Sequence, residues 1–275
     1  MTGIVNSTGA RSGIIGTTVG SPSPTNAADI GSGVLPVGVT GGSGLTLLKS
    51  ARNEGLIVKY VSATTVDIDA DYLTVFDSSN VGSVLSSINL TADITASGVN
   101  GLDTGSEATS TWYHIWVIYN GTTTASLLSV SATSPTMPSG YTYKKYVGAV
   151  YNKADGNFSD FEQHNYLVTV PTLVDQSLAG SSSGTLSLAG LVPTTAIAMF
   201  GEAKVKSSGS QKGWLTLSAK SGWGACNILT DAAVSNSYVH SYYRLPLLLN
   251  SFYWTATSND AHILRINGWE YGGIE

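Results

Sequence analysis

Charge is what this chain has least of. Asp, Glu, Lys and Arg make up 11% of its 275 residues, against roughly 25% in an ordinary soluble protein. Ser and Thr fill the gap, at about a quarter of the sequence, beside 31 glycines. A surface of hydroxyls and amides solubilises without strong self-repulsion, which suits permanent assembly better than life as a free monomer. The formal net charge is −5 and no Lys/Arg cluster occurs. A nucleic-acid footprint needs such a cluster to displace counterions, so nucleic acid is not an expected partner. Cysteine is nearly missing too. Cys226 stands alone, which excludes an intrachain disulfide and any zinc site built from thiols, and it reads as a small buried apolar residue. No run approaches the ~20 apolar residues of a membrane span. The first residues lack the basic and apolar regions of a secretory signal, so cytoplasmic synthesis without export by that route or membrane insertion is expected. The sequons at Asn6, Asn89, Asn120 and Asn157 are then chance products of a Ser/Thr-rich chain. Helical spacing is almost absent, and only residues 86–97 offer room for a short helix.

What the chain does have is alternation between turns. The densest stretch is 112–151. Trp112, Tyr113, His114, Ile115, Trp116, Val117, Ile118 and Tyr119 are followed by Asn120-Gly121, and Tyr141, Tyr143, Tyr146, Val147, Val150 and Tyr151 come after. Asn-Gly between such runs predicts a hairpin, because both central positions of a type I′ turn need positive φ. The first run is apolar on both alternating faces, with Trp112, Trp116 and Ile118 on one and Tyr113, Ile115, Val117 and Tyr119 on the other. A strand of that kind is buried on both sides. Its second face packs against a neighbouring chain or against a second β-region.

Three regions follow. Residues 1–45 are Gly, Ser, Thr and Pro with short apolar specks, too sparse to bury a face. They read as an extended arm that docks on a larger assembly through Ile4, Val5, Ile14 and Ile15. Residues 46–170 read as a central β-domain, with strands at 56–61 and 65–76; Val66, Ile68 and Ala70 alternate there with Asp67, Asp69 and Asp71. Residues 171–275 read as a C-terminal jelly-roll-like β-sandwich: a long strand at 196–206, its expected hairpin partner at 214–217, and further strands near 226–229, 238–249, 252–257 and 262–269. The fold class is all-β, an extended arm followed by two antiparallel sandwiches.

The residue patterns that could carry catalysis have structural readings beside them. Residues 180–184 match G-x-S-x-G in letters, but a nucleophile elbow needs a strand before and a helix after it, and low-complexity sequence surrounds this one. His114, His164, His240 and His262 share no metal-ligand spacing. The Asp67, Asp69, Asp71 series lacks the glycine and bidentate glutamate of a calcium loop and reads as a solvated strand face. Asp155, Asp160 and Glu162 could pair for glycoside cleavage only across a cleft of roughly 5 to 9 Å. No enzyme activity, cofactor or metal is expected. The aromatic surplus of the last region, Trp214, Trp223, Tyr242, Tyr243, Tyr253, Trp254 and Trp269, exceeds what one sandwich core must hold and points to an interface or a glycan-stacking surface.

Several stretches resemble virion structural proteins of tailed bacteriophages. The run 111–120, with 135–144 and 147–150, is similar to modules of tail fibres, and Tyr60 to Val66 resembles their opening strands. Residues 266–271 look like the closing strand of small phage β-sandwiches, and residues 12–18 resemble N-termini of phage structural proteins. The resemblance implies a non-enzymatic virion component, a homotrimer attached through residues 1–45 to other virion proteins. Such a fibre or spike would expose its C-terminal domain to host-surface glycan; the alternative is a capsid-decorating or connector protein without a ligand.

Overall fold

The computed structural model describes residues 53–171, 176–178, 183–206, 213–223, 225–229, 238–248, 250–256 and 261–272. The arm with Ile4, Val5, Ile14 and Ile15 lies outside them, as does the side chain of Cys226. Among the described residues the protein is all-β, with seventeen strands and no helix. The strands are β1 (Asn53–Glu54), β2 (Ile57–Tyr60), β3 (Thr65–Phe76), β4 (Gly82–Asp93), β5 (Thr111–Tyr119), β6 (Thr124–Ser129), β7 (Tyr143–Asn152), β8 (Glu162–His164) and β9 (Leu167–Thr169). They continue as β10 (Gln176–Ser177), β11 (Ser183–Ser187), β12 (Ala196–Lys206), β13 (Trp214–Ser218), β14 (Ala225–Leu229), β15 (Tyr238–Pro246), β16 (Ser251–Ala256) and β17 (Ala261–Tyr271).

One 13-stranded sheet runs β15-β12-β17-β9-β8-β2-β3-β7-β5-β6, with β1 and β4 also paired to β3 and β10 to β17. A 4-stranded sheet runs β11-β16-β13-β14. Every pairing of named strands is antiparallel. Strands on either side of Pro171 share the large sheet through β9 and β17, where Trp269 faces Val168 and Gly268 faces Thr169. A Cβ on Gly268 would overlap the Val168 carbonyl oxygen, so only glycine lets the two backbones close at this joint.

The alternation of β3 is borne out. Val66, Ile68 and Ala70 are buried while Asp71 is exposed. Beyond Asp71 the buried positions shift to Leu73 and Val75, and the partner strand shifts with them, from Ile88 and Ala92 to Leu85. Ser87 sits at this switch with φ 53. The shift leaves Leu85, Ile88 and Ala92 three and four residues apart, a helical spacing produced by a bent strand. The room for a short helix at 86–97 is therefore taken by β4 and the turn that follows it. The turn between β3 and β4 is held by the Asp77 carboxylate, which accepts from Ser79 N at 2.9 Å and Val81 N at 2.8 Å.

The central hairpin needs correcting in the same way. Across Asn120-Gly121, β5 pairs with β6, and β7 lies on the other side of β5. The turn is not type I′, since Gly121 has φ 94 and Asn120 does not have positive φ. Instead Asn120 Oδ1 accepts from Thr122 N at 2.9 Å and Thr123 N at 2.7 Å, an Asx-type turn that returns the chain directly into a third strand. Tyr113 through Ile118 are buried. Tyr113, Ile115 and Val117 belong to the core that also holds Met199 and Leu264, while Trp116 and Ile118 form a smaller cluster with Ala125 and Leu127 that Met137, Tyr141 and Tyr146 cover.

The expected hairpin of 196–206 with 214–217 does not form. β12 pairs with β15 and β17, and β13 pairs with β14 and β16 in the small sheet. Proximity in sequence loses here to length. β12, β15 and β17 can match long registers, and the five-residue β13 cannot fill that place.

Candidate functional site

Aromatic side chains line the seam between β5, β7 and β17. Trp112 stands 5.2 Å from Tyr151 and edge-on to Trp269 at 5.6 Å between centroids. Further along, Tyr146 touches Trp116 at 5.4 Å, His114 at 5.8 Å and Tyr271 at 5.8 Å. The hydroxyls in this seam are used: Tyr146 Oη shares a hydrogen bond with Thr195 Oγ1 at 2.7 Å, and Tyr271 Oη accepts from Ala149 N at 3.0 Å. Burial raises the Tyr146 and Tyr243 hydroxyls well above their ordinary range and the Tyr271 hydroxyl to about 12. All three stay neutral near pH 7 and act as structural polar groups. Burial lowers His114 to about 4, so its imidazole is neutral, and its Nδ1 has no partner among the described residues.

Beside the Trp112 end of this seam lies a cleft of about 410 Å³, within the range of small-molecule sites, about 300 to 1,000 Å³. Trp112, Tyr151 and Trp269 form its aromatic wall, with Phe161, Val170 and Leu191 as apolar lining and Lys153, Ser159 and Asp160 as its polar rim. The rim is a product of one tight turn after β7. Lys153 N donates to Asn157 O at 2.9 Å, Gly156 takes φ 78, and Ser159 N returns to Tyr151 O at 2.8 Å. The Asp155 carboxylate receives Asn157 N at 3.1 Å and meets Lys153 Nζ at 3.3 Å, contacts that lower its pKa, the Asn157 bonds foremost. On the opposite side Gly190, at φ 77, lets its loop approach the ring, since a Cβ there would lie 2.9 Å from Tyr151 Oη. Trp112 Nε1 has no hydrogen-bond partner among the described residues.

A second surface lies on β15, at one end of the large sheet. Tyr238, His240, Tyr242 and Arg244 alternate outward, while Tyr243 and Leu245 point to the core. Across β12 and β17 the same outward face carries an ion cluster on Glu202, with His240 Nδ1 at 2.5 Å, Arg265 at 3.3 Å and Lys204 at 3.9 Å. The His240 hydrogen bond, ahead of the neighbouring cations, lowers the Glu202 pKa. Arg244 makes a two-pronged contact with Glu270, Nε to Oε1 at 2.7 Å and a terminal nitrogen to Oε2 at 2.5 Å.

The aromatic residues singled out in the sequence divide between these environments. Tyr242 is 84% exposed, Trp223 56% and Trp214 36%, and Lys220 Nζ sits 5.9 Å over the Trp223 ring. Tyr253 is half-buried on β16. Tyr243, Trp254 and Trp269 are buried; Tyr243 donates to Arg265 O at 3.1 Å, and Trp254 packs under Gly184, where a Cβ would come within 3.1 Å of its Nε1. The seven are thus not one surface. Trp112 and Tyr151, which line the cleft with Trp269, were missed as site residues because they belong to the hairpin and read as core. No signal in the sequence marks them; their half-buried state, at the ends of strands, is visible only in the fold.

Of the acidic candidates, Asp160 lines the cleft, Asp155 stays in the adjacent turn, and Glu162 pairs with His164 at 2.9 Å on β8. Asp67 accepts from Thr91 Oγ1 at 2.8 Å and Asp69 meets Lys59 at 3.5 Å. Among the described residues no group of three or more His, Cys, Asp or Glu side chains is placed to hold a metal ion. Ser183 and Gly184 of the G-x-S-x-G match enter strand β11, where an elbow needs a helix; residues 180–182 lie outside the described residues.

No protein-family model matches the chain, and no curated protein matches it. Solved structures similar to it include a Cry1Da tryptic core variant of Bacillus thuringiensis, 9% identical, with 81% of this chain and 52% of that chain covered at a TM-score of 0.19. Another is SGBP-B from a complex xyloglucan utilization locus in Bacteroides uniformis, 11% identical, with 79% and 73% covered at a TM-score of 0.17. The chain spans about half the length of the Cry1Da core. At such TM-scores neither likeness carries an argument about fold or function.

Proposed function

We propose that the chain is a structural component of a tailed-phage virion, a fibre- or spike-type appendage. It is assembled in the host cytoplasm as a homotrimer and anchored to other virion proteins through residues 1–45. In this reading the regions 46–170 and 171–275 are jelly-roll-like units, and the second presents aromatic side chains to host-surface glycan. The observation that carries the binding part is the exposure of Tyr242, Trp223 and Trp214. Each offers a flat apolar ring face of the kind that stacks on the C–H face of a sugar. Support for the assembly part is the low charge of the chain and the resemblance of residues 111–150 to fibre modules. A panel of bacterial envelope polysaccharides tests the binding. Trp223→Ala and Tyr242→Ala should each weaken it by about tenfold with the melting temperature unchanged. No binding to host envelope material would sink the receptor role in favour of a decorating or connector protein. A monomeric mass by light scattering at micromolar concentration would overturn the trimer.

A further inference from the structure

We infer that the cleft beside β7 is a binding site for a single neutral pyranose ring, separate from the exposed aromatics of the C-terminal region and independent of any virion role. Three features of the cleft choose this ligand. Its wall is aromatic, with the half-buried rings of Trp112 and Tyr151 in contact at 5.2 Å and Trp269 behind them. Its polar groups lie close together in the chain, because Lys153, Ser159 and Asp160 come from one turn. A pyranose has the matching asymmetry, an apolar C–H face for the rings and a hydroxyl edge for a cation, a hydroxyl and a carboxylate.

Charge decides against the other small ligands. Asp155 holds Lys153 Nζ at 3.3 Å, so the single cation of the rim is already neutralised and Asp160 adds a negative charge. That field repels phosphates, carboxylates and acidic sugars. A planar apolar ligand would satisfy the wall alone and gain nothing from Ser159 and Asp160. Neutral hydroxyls can donate to Asp160 and both donate to and accept from Ser159. Gly190 sets the far side of the cleft, where its loop lies against the Tyr151 hydroxyl. A larger residue with φ 77 would be strained there and would crowd that ring.

Saturation-transfer NMR and calorimetry on the full chain, with glucose, galactose, N-acetylglucosamine, rhamnose and glucuronic acid, provide the test. A site this small and open should bind one or more of the neutral sugars with Kd of about 1 mM and should discriminate against glucuronic acid. Asp160 is exposed, and Asp160→Ala should weaken binding about tenfold with an unchanged melting temperature. Tyr151→Leu should weaken it as well, while Trp223→Ala should leave it intact. Absence of saturable binding to all the neutral sugars overturns the proposal, as does binding indifferent to both cleft variants. Binding lost in Trp223→Ala and kept in Asp160→Ala would also overturn it, and would assign the sugar to the exposed aromatics instead. Glucuronic acid bound as well as glucose would overturn the charge argument on which the choice of a neutral ring rests.

Discussion

β5 and β15 are both nine-residue strands rich in aromatics, and the protein uses them in opposite ways. β5 is buried on both faces: Tyr113, Ile115 and Val117 enter the main core, and Trp116 and Ile118 are sealed by Met137 and Tyr141 from the loop before β7. β15 buries Tyr243 and Leu245 and holds Tyr238 and Tyr242 out. The difference lies in what separates the aromatics. In β5 both alternating faces carry large apolar side chains, Trp116 and Ile118 on one and Tyr113, Ile115 and Val117 on the other, so neither face can be left in water. In β15 the outward positions include His240 and Arg244, whose polar ends keep that face wet, and the tyrosines between them stay available for contact. Aromatic content alone therefore says nothing about use; the residues that share the face decide it.

The comparison breaks first at β5. Trp116→Ala removes a buried indole whose Nε1 donates to Ser131 O at 3.3 Å and opens a cavity under the loop, so urea unfolding should show a loss of about 3–5 kcal/mol. A loss under 1 kcal/mol would mean the loop collapses into the gap. Acid is the next lever on the same strand. His114 is held near 4 against an ordinary value of 6.5 because burial disfavours its charged form. The unfolded chain thus binds this proton first. Its contribution to stability is complete above pH 6.5 and falls as pH drops through the window to about 4, by a total on the order of 3 kcal/mol. His114→Phe should flatten that part of a melting-temperature profile, and an unchanged profile would show that another group sets the acid limb.

Gly268→Ala tests the joint between the two regions. The added methyl cannot coexist with the Val168 carbonyl oxygen, and the three register pairs of β9 with β17 should loosen at a cost of about 1–3 kcal/mol. Hydrogen exchange at 167–169 and 268–270 should quicken selectively. The smallest effect belongs to β15. Tyr242→Ala should change stability by less than about 0.5 kcal/mol, since the ring is almost entirely in water. A larger loss would place that ring in a contact, and the contrast with β5 would narrow.

Much of the strand pattern was legible residue by residue. The alternation of Val66, Ile68 and Ala70, the long strand Ala196–Lys206 and the strand near 262–269 all read as they fold. Pairing was not legible. The Asn-Gly turn was visible, but its partner β6 is shorter and less aromatic than β7. The β13 segment follows β12 in sequence yet joins the other sheet. A strand's hydrogen-bonding edge carries no residue code, so neighbours are chosen by register length and by what each face must cover. The cleft was illegible for the same reason. Trp112 and Tyr151 are register partners in β5 and β7, but Trp269 arrives from the far end of the chain.

What the sequence determined by itself is the all-β class, the low charge, the exclusion of an intrachain disulfide and which face of most strands turns inward. These follow from composition and from the side-chain period of two along a strand. Tertiary structure alone decided that strands before and after Pro171 share one sheet, that β5 is covered on both sides by its own chain, and that three distant aromatics and one turn enclose a cleft. Those are matters of long-range register and packing. Their physical reason is that each apolar face takes whichever partner excludes the most water, however far along the chain that partner lies.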